Sequence, residues 1–284
     1  MSKIKIITDS ASDITREEAE RYNIHVMSFT INMDGQEYRT GIDISAREFY
    51  EKLKTCKELP TTSQLPPQEL YEVFKKYTDE GYEVLLIAIS SNGSGIYNSA
   101  NIAKGMVLEE NPDAVIELLD SRRFAYIYAY AAMEAARLSE QGEDIETIKQ
   151  AVTELLDSYD VYIIAQSLEY LEKGGRINKA SLVFGNLLDI RPLLSIRNGL
   201  IEAIDKIRGS KKIVQKLFRK LSENGYDQSG KTMIIVQGDM EDEALEIKAL
   251  IDENLKPKEI ILRDVGPTIG THIGPVLGVF FKIK

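Results

Sequence analysis

Val84-Leu85-Leu86-Ile87-Ala88-Ile89 is an unbroken apolar run bounded by polar residues. Such a run reads as a strand buried on both faces, the pattern of a parallel sheet covered by helices. Behind it lie the small residues Ser90-Ser91-Asn92-Gly93-Ser94-Gly95, and the spacing then predicts a helix over 96–104. Ser94 stands where an N-cap would stand. A strand-to-helix turn of this kind offers free backbone N–H groups and the positive end of a helix dipole to an anion. A capped helix with glycines in its turn accounts for the same residues equally well.

Other segments surround this one. Strands are predicted at 3–10, 25–32 and 114–121, and helices at 13–22, 45–54, 67–80, 125–140 and 144–158. Thr15 is the expected cap of the first helix, with Glu17 and Glu18 in its first turn. Residues 59–67 hold three prolines and read as an ordered loop exposing the hydroxyls of Thr61, Thr62 and Ser63. Three predicted strands end in hydroxyl or acid pairs: Asp9-Ser10, Ser90-Ser91 and Asp120-Ser121. In an open parallel sheet, ligands bind at these carboxyl ends. The tyrosines Tyr126, Tyr128 and Tyr130 share one helix and are assigned to the core.

A boundary is placed at 158/159, giving a first domain over 1–158 and a second over 159–284. The second begins with a strand at 161–165 and a short helix closed by Gly174-Gly175, with Arg176 behind it. Arg197-Asn198-Gly199 joins two apolar segments as a hairpin, Asn-Gly being the turn signal. A helix at 210–223, a strand at 232–237, a helix at 241–253 and a strand at 259–262 follow. The glycine-rich tail around His272 ends in a strand at 277–283. The expected fold class is α/β: a Rossmann-like α/β/α domain on a parallel sheet, then a mixed-sheet α+β domain.

The 284 residues suffice for two domains with ample core. Hydrophobic residues make up 43% and charged residues 28%, ordinary for a globular protein. A net charge of -10 argues against nonspecific nucleic-acid binding and against lying on an anionic membrane. The single cysteine, Cys56, forms no internal disulfide, and two histidines, His25 and His272, do not make a His-rich metal site. No apolar run reaches the roughly 18 residues of a membrane span. The opening residues begin a strand rather than a signal peptide, so a cytoplasmic location is expected.

Gly225-Tyr226-Asp227-Gln228-Ser229-Gly230-Lys231-Thr232 matches the P-loop letters. The P-loop mechanism needs a strand before the loop and a helix after it. Here the predicted order is reversed, so the match is rejected.

Taken together, Thr8-Asp9-Ser10, Thr62-Ser63-Gln64, Ser90-Ser91 with Ser94-Gly95 and Tyr97, Asp120-Ser121, 168–177, Arg208-Gly209 and Gly270 with His272-Ile273-Gly274-Pro275 resemble the DegV family of bacterial fatty-acid-binding proteins. The resemblance spans nearly the full length. It implies two α/β domains with a lipid in a tunnel between them and no catalysis or cofactor. It implies a fatty-acid carboxylate held by Thr62 and Ser94, with Arg176 and His272 near the head group. Ser63, Gly95, Asp9, Ser10 and Ser121 belong to the same neighbourhood. Arg208 would face a partner fatty-acid kinase, whose acyl phosphate product feeds phospholipid synthesis. Ligand exchange at a membrane is compatible with such a carrier. The sequence departs from the family pattern at Leu65, Ile96, Val276 and the segment with Tyr126 and Tyr128, where bulk near a tunnel would narrow or reroute it. Acyl preference is left open.

The residues agree on the anion site, because Ser94, Thr62 and backbone N–H groups supply donors without a fixed cation. The tail should dominate affinity. At roughly 0.8 kcal/mol per buried CH₂, about 15 methylenes gain on the order of 12 kcal/mol as an upper bound. Head-group hydrogen bonds at about 1–3 kcal/mol each fix the orientation instead. The reading from another class is a serine hydrolase, with Ser94 as nucleophile, His272 as base and Asp9 or Asp120 as orienter. Gly93-Ser94-Gly95 lacks the G-x-S-x-G elbow that such an enzyme would carry.

Overall fold

In a computed structural model the chain is described over residues 3–177, 190–208 and 212–284. The first half runs β1 (Lys3–Asp9), α1 (Arg16–Arg21), β2 (His25–Met27), β3 (Thr30–Met33), β4 (Gln36–Arg39), α2 (Ala46–Leu53), β5 (Thr61–Ser63), α3 (Pro67–Asp79), β6 (Tyr82–Ala88), α4 (Ile96–Glu110), β7 (Ile116–Asp120), α5 (Tyr126–Glu140) and α6 (Ile145–Asp157). The second runs β8 (Tyr159–Ala165), α7 (Glu169–Gly174), β9 (Ile190–Arg197), β10 (Leu200–Arg208), α8 (Ile213–Glu223), β11 (Thr232–Gly238), α9 (Glu241–Leu255), β12 (Glu259–Asp264), α10 (Pro267–Ile273) and β13 (Val276–Lys282).

Among the described residues these strands form three sheets. The first is wholly parallel, in the order β2-β1-β6-β7, with Ile7 opposite His25 on one side and Leu86 on the other. As its apolar run predicts, β6 is buried on both faces. The second sheet is mixed, in the order β10-β9-β8-β13-β11-β12, and only β11 and β12 pair in parallel. This is the α/β class with a parallel sheet and a separate mixed one. The third is a small antiparallel sheet, β4-β3-β5.

Local signals act as expected. Thr15 caps α1 in a reciprocal box with Glu18. The β9–β10 hairpin turns on Asn198 and Gly199, both with positive φ, at 50° and 73°. The P-loop letters lie between α8 and β11, the reversed order that removes the mechanism.

Four expectations are corrected. The strand foreseen at 25–32 breaks at Ser28-Phe29. There the Phe29 N–H donates to Ser10 Oγ at 2.9 Å, its carbonyl accepts from Thr40 N at 2.8 Å, and the chain leaves one sheet for another. The loop foreseen at 59–67 contains β5, which pairs with β3 so that Thr62 stands opposite Ile31. Gly95, not Ser94, is the N-cap of α4, and Ser94 Oγ accepts from Ile96 N at 3.4 Å. The tail around His272 is not merely glycine-rich coil: it folds into α10, with Pro267 in its first turn.

Strand alternation decides where the core sits. Val276, Gly278 and Phe280 of β13 face the first half, whereas Leu277, Val279 and Phe281 face α8 and α9. A bulge between Ala203 and Asp205 switches faces along β10. Ile201 thereby joins the inner core and Ile207 the outer one. The inner core is shared between the halves, since Ile87, Tyr128, Ile163 and Phe280 belong to one apolar cluster.

The carboxylate of Asp9 closes the end of the first sheet. It is fully buried and accepts from Tyr128 Oη at 2.6 Å, Ile89 N at 2.9 Å and Ala11 N at 3.1 Å. Burial lifts this carboxyl to about 6, against the pull of those three donors. Tyr128→Phe removes the side-chain donor and is expected to cost about 1–3 kcal/mol of stability, checked by urea unfolding. A proton held more tightly in the folded state adds stability below the unfolded pKa. The Asp9 contribution should therefore fall as pH rises through about 6.

Candidate functional site

A narrow cavity lies between the inner face of the mixed sheet and the strand-end turns of the parallel sheet, with about 780 Å³ of space that includes its open mouth. A concave site with a predominantly apolar lining and a few polar groups is the usual form of a small-molecule pocket. The floor is apolar: Ile163 of β8, Gly278 and Phe280 of β13 and Val236 of β11, with Ile196 and Ile201 from the hairpin. Phe29, Ile89 and Phe124 cover it from the first half.

Apart from Thr268, which donates to Thr40 Oγ1 at 3.0 Å, the polar side chains of the lining collect in one part of it: Thr62, Ser94, Arg176 and His272. Each comes from a different element. Thr62 Oγ1 lies 2.9 Å from His272 Nε2, so β5 and α10 meet across 210 residues of chain. Arg176 donates from Nε to the Gly93 carbonyl at 3.1 Å and from Nη1 to the Gly174 carbonyl, which pins the guanidinium beside the Ser94 turn. A Cβ at Gly174 would stand 2.8 Å from His272 Nδ1, so the missing side chain makes room for the imidazole. Burial, with Arg176 nearby, lowers His272 to about 4. The imidazole is therefore neutral across physiological pH. With Nε2 protonated it donates to Thr62 and leaves the threonine hydroxyl free to donate to a ligand oxygen.

The family model described as "Uncharacterised protein, DegV family" matches residues 3–284. The chain belongs to the DegV family. A DegV domain-containing protein of Caldanaerobacter subterraneus is 36% identical over the whole of both chains. Among solved structures, the chain is similar to DegV of Bacillus subtilis, a fatty acid binding protein, at 29% identity and TM-score 0.87 over all of both chains. It is also similar to a stearic acid-binding protein of Eubacterium ventriosum, at 27% identity and TM-score 0.86 over 99% of this chain and 98% of that one.

Leu171 and Ile273 of the DegV signatures also line the cavity, whereas Asp9, Ser10, Ser63, Gly95 and Ser121 stand outside its lining. Asp9 is bound as described above. Ser10 Oγ sits 2.5 Å from Thr40 Oγ1, and Ser121 Oγ donates to the Arg123 carbonyl at 3.3 Å. Ser63 is exposed on β5. Gly95 lies under Gln64, whose Nε2 donates to the Gly95 carbonyl at 3.1 Å and to Ser99 Oγ at 2.7 Å. That contact assigns a role to Gln64 which spacing did not reveal: it ties β5 to the start of α4, and so Thr62 to Ser94. Arg208 ends β10, and its side chain lies outside the described residues.

Four of the departures from the DegV pattern point into packed core instead of the cavity. Leu65 and Ile96 are buried in the shared cluster. Tyr128 bonds Asp9, and Tyr126 donates to Glu18 beneath the Arg263 guanidinium. Val276 lies in the lining, and so do Phe124 and Ala125 at the start of the departing segment 124–128 that carries the two tyrosines.

A depressed His272 makes a spectroscopic prediction. Long-range ¹H–¹⁵N spectra of ligand-free protein should show a neutral imidazole at pH 6, with protonation only near pH 4. An unfolded histidine titrates near 6.5, so the stability this residue contributes should be complete above that pH and lost as pH falls toward 4.

Proposed function

We propose that this DegV protein is a carrier that holds a long-chain fatty acid in the cavity, with its carboxylate at Thr62 and Ser94 and its tail over the apolar floor. The observation that carries this is the joining of a narrow apolar cavity to a cluster of neutral donors. An apolar chain is recognised by area, at about 25 cal/mol per Å² buried, and an acid end by hydrogen-bond donors. Thr62, His272 and the turn before α4 supply the donors, and Arg176 adds positive potential beside them.

The halves over 1–158 and 159–284 then act as two domains closed around the ligand. A cytoplasmic fatty-acid kinase is the partner to which the carboxylate is presented, on a surface that includes Arg208, and ligand exchange at a membrane would load the carrier. The family resemblance supports these steps. Among the described residues no helix is long and apolar enough to cross a membrane, and no group of His, Cys, Asp and Glu side chains could hold a metal ion.

The hydrolase reading gains no support. His272 Nε2 is engaged with Thr62, not Ser94. Asp9 is bound by Tyr128, and Asp120 accepts from Ser91 Oγ at 2.5 Å and Arg122 N at 2.9 Å. Neither acid orients the histidine.

Mass spectrometry of protein purified from cells and then denatured should release a long-chain fatty acid in near-stoichiometric amount. An empty protein that also fails to take up added fatty acid would sink the carrier reading. Thr62→Val and Ser94→Ala should keep the fold and weaken retention by about 1–3 kcal/mol each, roughly five- to 150-fold in Kd. Labelling of Ser94 by a fluorophosphonate would revive the hydrolase.

A further inference from the structure

Gly278 is the bare position in the cavity floor. Its strand register places it between Ile163 on β8 and Val236 on β11, with Val276 before it and Phe280 after it on the same face of β13. All four neighbours line the cavity. The Gly278 backbone is ordinary strand, paired on both sides, so conformational freedom is not what excludes a side chain there. Space is. A Cβ on Gly278 would stand 2.8 Å from Val236 Cγ2, while Ile163 Cγ1 would be at an ordinary 3.8 Å. The Val236 methyl leans into the volume that the glycine leaves open.

Behind these residues the sheet is backed by the packed side chains of Leu277, Val279 and Ile235, all fully buried. Close-packed interiors do not yield in that direction. A Val236 side chain displaced from over Gly278 cannot retreat through the sheet, and the cavity it lines is the open space beside it. From this we infer that the Gly278–Val236 pair sets the thickness of the acyl slot, and with it the choice between straight and bent or branched fatty acids. The inference rests on the carrier reading above. A straight methylene chain has the smallest cross-section, whereas a cis double bond or a methyl branch widens it. By giving the Val236 methyl room to lean over it, Gly278 keeps the slot wide enough for the wider shapes.

The test compares hexadecanoic acid with cis-9-hexadecenoic acid, by displacement of a fluorescent fatty acid from full-length protein. Gly278→Ala should lower affinity for the cis acid about tenfold more than for the straight one, the size of effect expected from one added methyl in a packed wall. Val236→Ala should shift the ratio the other way, and the double variant should return it to within about twofold of wild type, the two sites being in contact. Should Gly278→Ala not fold, Val236→Ile adds bulk at the same place and should reproduce its selectivity. Folded variants with a wild-type ratio would overturn the inference while leaving the carrier reading intact. A wild-type protein that binds neither acid would overturn both.

Discussion

The apolar inner face of the six-stranded sheet has to be kept from water, and the rest of the molecule is arranged around that constraint. Alternation makes the face: Ile163, Val236, Val276 and Phe280 all point the same way. At about 25 cal/mol per Å², leaving such a surface open would be costly. The first half covers it with α5 and with the turns after its parallel strands, and the inner cluster runs without a break from one half to the other. The cover is incomplete, and the cavity is the remainder. An apolar cavity wall of this kind accepts apolar guests. A ligand that fills the space binds the folded state alone and stabilises it by mass action.

Polar pegs fix how the halves meet. Ser90 Oγ donates to the Gly199 carbonyl and Asn92 Nδ2 to the Asn198 carbonyl, both at 2.7 Å, so the hairpin turn sits on the loop that precedes α4. On another side Arg263 reaches Glu18 at 2.6 Å, and Gly266 N donates to the half-buried Asp13 Oδ1 at 2.9 Å. Each contact is worth about a kilocalorie, far less than the shared core. Their value is directional. The polar end of the cavity takes Thr62 and Ser94 from one half and Arg176 and His272 from the other. Neither half holds the constellation alone, so these pegs set its geometry.

What could be read in the sequence was what short-range physics controls. The Thr15 cap, the Asn198-Gly199 turn, the doubly buried β6 and the reversed P-loop order each follow from neighbours within a few residues. So did the assignment of Tyr126 and Tyr128 to core. The corrections come from long range. Thr61-Thr62-Ser63 is a strand only because β3 lies beside it, and three residues with two prolines soon after carry no strand signal of their own. Asp9 looked like a strand-end ligand group, yet its partners, Tyr128 and Ile89, stand 119 and 80 residues away. Leu65 and Ile96 departed from the family pattern in letters close to the site. Which way a side chain turns is set by packing, and both turned inward. The Thr62–His272 contact spans most of the chain, and only the resemblance brought those two residues together beforehand.

On the proposed carrier reading, a head-group site built, among the described residues, without a fixed ion pair follows from the same physics. The tail supplies affinity in proportion to area and has no preferred direction. The head supplies direction and little affinity. A buried carboxylate clamped by an unopposed cation would be costly to pull away, since separating a desolvated pair leaves a charge without a partner. Here His272 is held neutral, and Arg176 already donates to two backbone carbonyls. The carboxylate would then be gripped by a hydroxyl relay and by backbone N–H groups, each of which water can replace as the acid leaves. On that proposed reading, weak, oriented binding at one end and strong, unoriented binding along the rest would leave the reactive end of the ligand the easiest part to give up to another protein.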